Sequence, residues 1–156
     1  MRWLIGFFLM LNLLATASCG FHLRGSTAGL NAGDVVVHGV AVSHPLALAL
    51  TGQNAQTKPR FDVQIERETW DRRVSAFGSD GRAVEYELKY DVSFKLRDIV
   101  HDRNGPQDSV RILRSYGFDP AQALAKSAEE TSLRAEMIRE AATAIKRRTA
   151  AWARTL

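Results

Sequence analysis

Cysteine occurs once in the chain, at Cys19, directly behind an apolar run that begins at Trp3. Two chemistries are open to a thiol placed there. The small residues Thr16, Ala17 and Ser18 suit a peptidase that cleaves just ahead of a diacylated cysteine, leaving Cys19 as a lipid-bearing N-terminus. Ala15, Thr16 and Ala17 equally fit ordinary signal cleavage, which would release a chain with one unpaired thiol. An odd thiol in an oxidising compartment either pairs between molecules or stays reactive, and acylation removes that liability. We therefore expect a diacylglycerol and an N-acyl chain on Cys19, with no other cofactor. Gly20, rather than Asp, follows the cysteine, which predicts delivery to the outer membrane.

Other reactive side chains do not assemble into a motif. His22, His38, His44 and His101 have no i, i+4 pairing that would place two imidazoles on one helix face, so no metal site is expected. His38-Gly39-Val40 lacks the Gly-x-Gly spacing that lets a backbone wrap pyrophosphate. Glu85 and Glu87 fall on the polar side of an alternating stretch, where solvated carboxylates belong. No catalytic residue is assigned and no enzymatic activity is expected. The net charge of +4 is modest, and it favours anionic lipid headgroups over nucleic acid as a partner.

The leader explains the first 18 residues. Arg2 precedes an apolar segment from Trp3 to Ala17 that is broken by Gly6 and Asn12. It falls short of the roughly 20 apolar residues a membrane-spanning helix needs, so residues 1–18 read as a signal peptide and 19–156 as one lipid-anchored domain.

Within that domain the apolar period assigns the elements. From Val84 to Leu96 every even position is apolar and the odd ones are mostly charged, which is a long half-buried strand. Phe61, Val63 and Ile65 begin a second strand whose phase shifts, and a bulge is expected near Trp70. Gly78-Ser79-Asp80-Gly81 joins the two as a hairpin turn. A third strand, with Val110, Ile112, Arg114, Tyr116 and Phe118 on one face, is expected to follow a turn at Asn104-Gly105-Pro106. The β-branched stretch Asp34 to Val42 is a fourth, short strand. Between it and Phe61, Ser43 to Gly52 gives a short helix capped by Ser43, with its apolar residues scattered around it. Segments 24–33 and 52–60 are expected to be loose.

Asp119, Pro120 and Gln122 then form a helix start: a cap, a first residue with φ already set, and capping-box spacing. Leu124, Ala128, Thr131, Ala135, Ile138, Ala142, Ile145, Thr149 and Trp152 recur in steps of four and three, predicting one packing stripe along the helix. Lys146, Arg147, Arg148 and Arg154 gather near its end, where cations suit the macrodipole. The expected fold is α+β: a two-layer sandwich, a four-stranded mostly antiparallel sheet with a short helix and a long C-terminal helix on one face.

"CGFHLRG" at 19–25 resembles the mature start of the lipopolysaccharide-assembly lipoprotein family, LptE. "AVEYELKYDVSF" at 83–94, "RSYGFDP" at 114–120 and "ALAK" at 123–126 fit the same family in the same order. The resemblance implies an outer-membrane lipoprotein on the periplasmic side. It would sit as a plug inside the large β-barrel LptD, bind lipopolysaccharide and assist its assembly at the surface. It also implies roles for particular residues. Cys19 matches the lipid-bearing position, and Lys126 matches a basic residue used against the lipopolysaccharide headgroup. A lysine in the first turns of a helix can offer charge to phosphate beside free N–H groups; it can equally pair with Glu130. The family's other basic position lies ahead of the hairpin turn, where Gly78 and Ser79 stand, and Arg82 is the nearest substitute. Arg114 fits the family pattern in "RSY". The segment between the first two strands is shorter than the full helix usual in the family. The alternative function is a structural or adaptor lipoprotein of the periplasm that never touches lipopolysaccharide.

Overall fold

Strict alternation needs a sheet with one face covered and the other in water, and the computed structural model supplies it. It describes Leu30, residues 33–52 and residues 58–156. The signal segment 1–18, Cys19 and most of the two stretches expected to be loose lie outside the described residues. Strand β1 spans Val35–His38, β2 Phe61–Phe77, β3 Ala83–Asp98 and β4 Arg103–Gly117. They lie side by side in sequence order, with β1 parallel to β2 and the other pairs antiparallel. Helix α1 (Pro45–Thr51) makes the crossover from β1 to β2, and α2 (Ala123–Ala153) follows a single 3₁₀ turn at Pro120–Gln122.

Both helices pack on one sheet face. Leu88, Tyr90, Val92, Phe94 and Leu96 of β3 point into the same core as Leu46 and Leu50 of α1 and Met137, Ala141 and Ile145 of α2. Burying such a side chain contributes about 1.5–3 kcal/mol, so the alternation in β3 fixes which face receives the helices. The α+β two-layer fold expected from the sequence is the one observed.

Five local expectations are corrected. The first strand ends at His38, not Val42, because Gly39 takes φ +88° and passes so near β2 that a Cβ on it would stand 2.0 Å from the Ile65 carbonyl oxygen. In β2 the bulge falls at Glu66, between the pairs Ile65/Phe94 and Arg67/Ser93, with a further irregularity at Ser75. Trp70 lies in regular ladder instead, stacked on Tyr90 across the pair at 4.1 Å between ring centroids.

Asn104-Gly105-Pro106 is not the turn before β4 but part of β4. The turn is Ile99 to Asp102, with Asp102 in the left-handed region at φ 49°. Pro106 is accommodated because β4 is an edge strand and bulges there, the pairing stepping from Lys95/Gln107 to Arg97/Asn104. Trp152 lies over Gly105, where a Cβ would meet its ring at 2.8 Å.

Helix α1 is capped by His44 rather than Ser43, the imidazole Nδ1 accepting from the Leu46 N–H at 3.3 Å. As expected, its apolar residues do not share one face: Leu46, Ala47 and Leu50 are buried, whereas Leu48 is 52% exposed. The start of α2 matches its sequence signature, with Asp119 Oδ1 accepting from the Ala121 N–H at 2.9 Å. Its packing stripe is only half realised. Ala142, Ile145 and Thr149 are buried, whereas Leu124 is 88% exposed and Ala128, Thr131 and Ala135 also face solvent. In that first half the partly buried positions are Lys126, Glu130, Leu133 and Arg134, and the reason lies in the sheet beneath them.

Candidate functional site

The bulge at Glu66 moves the even positions of β2 onto the helix face. Glu68 then pairs with Val92, Trp70 with Tyr90 and Arg72 with Leu88. A strand that begins with Phe61, Val63 and Ile65 inward thus continues with a carboxylate and a guanidinium inward, and the two layers meet there through a polar seam.

The seam centres on Arg72. Its guanidinium lies 3.7 Å from the Tyr86 ring centroid, its Nε donates to the Tyr116 hydroxyl at 3.0 Å, and it approaches Glu130 at 3.3 Å. Tyr116 in turn donates to Glu130, which also accepts from Arg134 Nε at 2.9 Å. Arg134 reaches over Trp70, 4.8 Å from its centroid. Burial disfavours the Glu130 carboxylate, but the hydrogen bonds from Tyr116 and Arg134 and the charges of Arg134 and Arg72 outweigh it and hold its pKa below the ordinary value. Farther along, Glu68 accepts from the Tyr90 hydroxyl at 2.8 Å and meets His44 Nε2 at 3.4 Å. The sequence carried one signal of this seam, the change of phase after Ile65 that leaves Trp70, Arg72 and Val74 in step.

The opposite sheet face carries no helix. Arg111 and Lys89 bind Asp91 at 2.6 and 3.7 Å, Arg73 binds Glu87 at 2.8 Å, and Ser75 donates to Glu85 at 2.8 Å. Lys95 pairs with Glu66, and Gln107 donates to the same carboxylate at 2.7 Å. Cross-strand pairs of opposite charge each contribute about 0.2–1 kcal/mol, so this face is a neutralised polar surface rather than a cationic patch.

Three basic residues were singled out by sequence, and the fold gathers two of them at one end. Phe118 donates its N–H to the Val84 carbonyl at 2.8 Å just past β4, and α2 begins five residues later. Lys126, in the first turn of α2, therefore shares an end of the sheet with Arg82 in the β2–β3 turn. Lys126 is partly buried and its Nζ binds Glu129, not Glu130, at 2.8 Å. Arg82 is exposed and lies 3.7 Å from Asp80. The turn closes through the Gly81 N–H to the Gly78 carbonyl, with Gly81 at φ 74°.

Arg114 does not join them. It pairs across the interlayer rim with Glu140 and donates to the Leu113 carbonyl at 2.9 Å. Glu140 lies fourteen residues beyond Lys126 on α2, roughly 21 Å along the helix axis. Two members of the basic cluster late in α2 are also spent on packing: Lys146 Nζ donates to the Ala49 carbonyl of α1 at 2.7 Å, and Arg148 binds Asp108 at 2.7 Å. Burial lowers the Lys146 pKa. No group of three or more metal-ligating side chains occurs among the described residues, and no helix there is long and apolar enough to cross a membrane.

Comparison with known proteins matches residues 22–149 to the LptE family, described as lipopolysaccharide-assembly. The LPS-assembly lipoprotein LptE of Pectobacterium atrosepticum is 31% identical over 145 residues, covering 85% of this chain and 77% of that protein. A solution structure of lipoprotein B from Nitrosomonas europaea aligns with a TM-score of 0.64 at 28% identity, over 86% of this chain and 92% of its own. The crystal structure of rare lipoprotein B from Shewanella oneidensis shares the fold with a TM-score of 0.65 at 22% identity, covering 75% and 93%.

Proposed function

The chain belongs to the LptE family of lipopolysaccharide-assembly lipoproteins, and from that premise we propose that it acts as the lipid-anchored plug of an LptD-type outer-membrane β-barrel. In this reading Cys19 bears the acyl chains at the periplasmic side of the outer membrane. The domain occupies the barrel lumen, and the end carrying Lys126 and Arg82 meets the headgroup of lipopolysaccharide in transit.

The observation that supports the reading is the helix-free sheet face. Large barrels have polar, water-filled interiors, so a plug must present a polar surface without net cationic excess over much of its area. The cross-strand ion pairs Arg73–Glu87, Lys89–Asp71 and Arg111–Asp91 of β2, β3 and β4 provide one. Lys126 and Arg82 are suited to anionic sugars and phosphates as point charge and planar fork respectively, and among the described residues their ion-pair partners are the exposed carboxylates of Glu129 and Asp80.

Extraction of the tagged chain from membranes in mild detergent tests this. The expected result is one large, heat-modifiable β-barrel recovered in stoichiometric amount. Recovery of the lipoprotein alone would refute the plug assignment and leave an adaptor role in its place.

A further inference from the structure

The end of the sheet opposite Lys126 has an unusual turn. Asp98 closes β3 with its side chain fully buried, and its carboxylate accepts from the backbone N–H groups of Val100 and His101 at 3.0 and 3.2 Å. The same carboxylate holds His101 Nδ1 at 2.9 Å and Arg60 at 3.5 Å. The Ile99 N–H is tied to the Arg60 carbonyl at 2.8 Å. These bonds order the turn, yet its two apolar side chains point away from the core: Ile99 is 43% and Val100 65% exposed. A turn organised around a buried charge in order to present isoleucine and valine to solvent is poorly explained by folding alone.

Its surroundings indicate what covers it. The Arg60 and Phe61 N–H groups both donate to the Asp34 carbonyl at 2.9 Å, which places the chain entering β1 beside the turn. Leu30, four residues earlier, is buried in the core. Ten residues lie between Cys19 and Leu30, a reach of at most roughly 40 Å. Exposed cations flank the turn: Lys58 and Arg103 have no acidic partner among the described residues, and Arg154 ends α2 just beyond Trp152, which packs on Phe61 at the same end.

We propose that Ile99 and Val100 sit in the headgroup layer of the leaflet that holds the acylated Cys19, with Lys58, Arg103 and Arg154 against anionic phospholipid. The inference rests on the anchoring of Cys19 proposed above. Apolar residues ringed by cations bind such interfaces through buried apolar area together with attraction to anionic lipid. Acylation keeps the turn near that leaflet, and with the rest of the domain in the barrel lumen the turn meets the lipid at the periplasmic mouth.

The test uses the full chain, purified from membranes with Val100→Cys and labelled with an environment-sensitive thiol fluorophore. It is reconstituted in vesicles of three parts phosphatidylethanolamine to one part phosphatidylglycerol. The expected result is blue-shifted emission at position 100, quenched by lipids brominated near the glycerol. The shift is lost with Ile99→Asp, and an identical label at Ser79→Cys in the opposite turn stays in water. Intact mass of the same sample reads the acyl chains. A label at position 100 that stays aqueous on an acylated chain overturns the proposal alone. A chain without acyl groups overturns it together with the anchor. A blue-shifted label at position 100 that the brominated lipids do not quench assigns the turn to a protein contact and likewise overturns it.

Discussion

Arg72 lies over Tyr86, its guanidinium carbon 3.7 Å from the ring centroid, on the face of the sheet where the pattern of the strand leads one to expect only apolar side chains. The contact joins the middle of the long hairpin to the first half of α2 through Tyr116 and Glu130.

Replacing Arg72 with Met keeps much of its volume while removing the stacked charge and the donor to Tyr116. The expected cost is about 1–3 kcal/mol, read as a lowered urea midpoint. Arg72→Lys should recover little, because an ammonium cannot stack flat on the ring and bond Tyr116 in the same pose. Full recovery by lysine would mean that charge alone holds the seam.

Asp98 gives a pH signature. Burial raises its pKa, but His101 and the Val100 N–H outweigh that and leave it lowered. A lowered folded pKa means the unfolded chain binds more protons between the two values, so the contribution is present above the unfolded value of about 3.9 and is lost as pH falls through the folded one. Asp98→Asn should destabilise by about 1–3 kcal/mol at neutral pH, with the gap to the parent narrowing below about pH 4. Thermal melts from pH 7 to pH 3 check both statements.

Lys126 and Arg114 are expected to separate cleanly. Lys126→Glu should weaken lipopolysaccharide binding about tenfold, equivalent to ~1.4 kcal/mol, while folding survives, since its i, i+3 pair with Glu129 contributes about 0.2–0.5 kcal/mol. Arg114→Ala should leave binding unchanged and cost under about 1 kcal/mol of stability through Glu140. Titration with lipopolysaccharide alongside melting curves decides between them, and the reverse pattern would move the site to the rim of β4.

Gly39→Ala should be among the most damaging single changes. The added Cβ meets the Ile65 carbonyl at 2.0 Å and the backbone has positive φ, so strand β1 must shift or detach. A loss exceeding about 2 kcal/mol is expected; soluble yield and melting temperature report it.

The order of elements was legible because each has a local signal strong enough to stand alone: the fourteen-residue alternation through β3, and Asp119-Pro120 at the start of α2. The seam was legible only in part: the change of phase through Trp70 and Val74 pointed to a bulge, but its position at Glu66, which turns Glu68 inward as well, follows only from the register. The same ambiguity misled the helix stripe. Leu124 and Ala128 belong to an apolar period that the sheet does not meet, because the sheet there offers Arg72 and Tyr116, which select Glu130 and Arg134 instead. Pro106 misled in another way: proline signals a turn, yet an edge bulge satisfies the same constraint. Of the site residues, the family resemblance rather than periodicity drew attention to Lys126 and Arg82. Only the topology, which brings the β2–β3 turn and the start of α2 to one end, puts the two together.

The hairpin of β2 and β3 also works as a ruler. Strand β2 has 17 residues, which at about 3.3 Å each extend roughly 55 Å, against about 30 Å of hydrocarbon in a bilayer. If Cys19 holds the domain at one leaflet as proposed, the opposite turn reaches past the far leaflet without unfolding or sliding. One folded unit would then meet two distant chemical environments, their separation set by the number of strand residues.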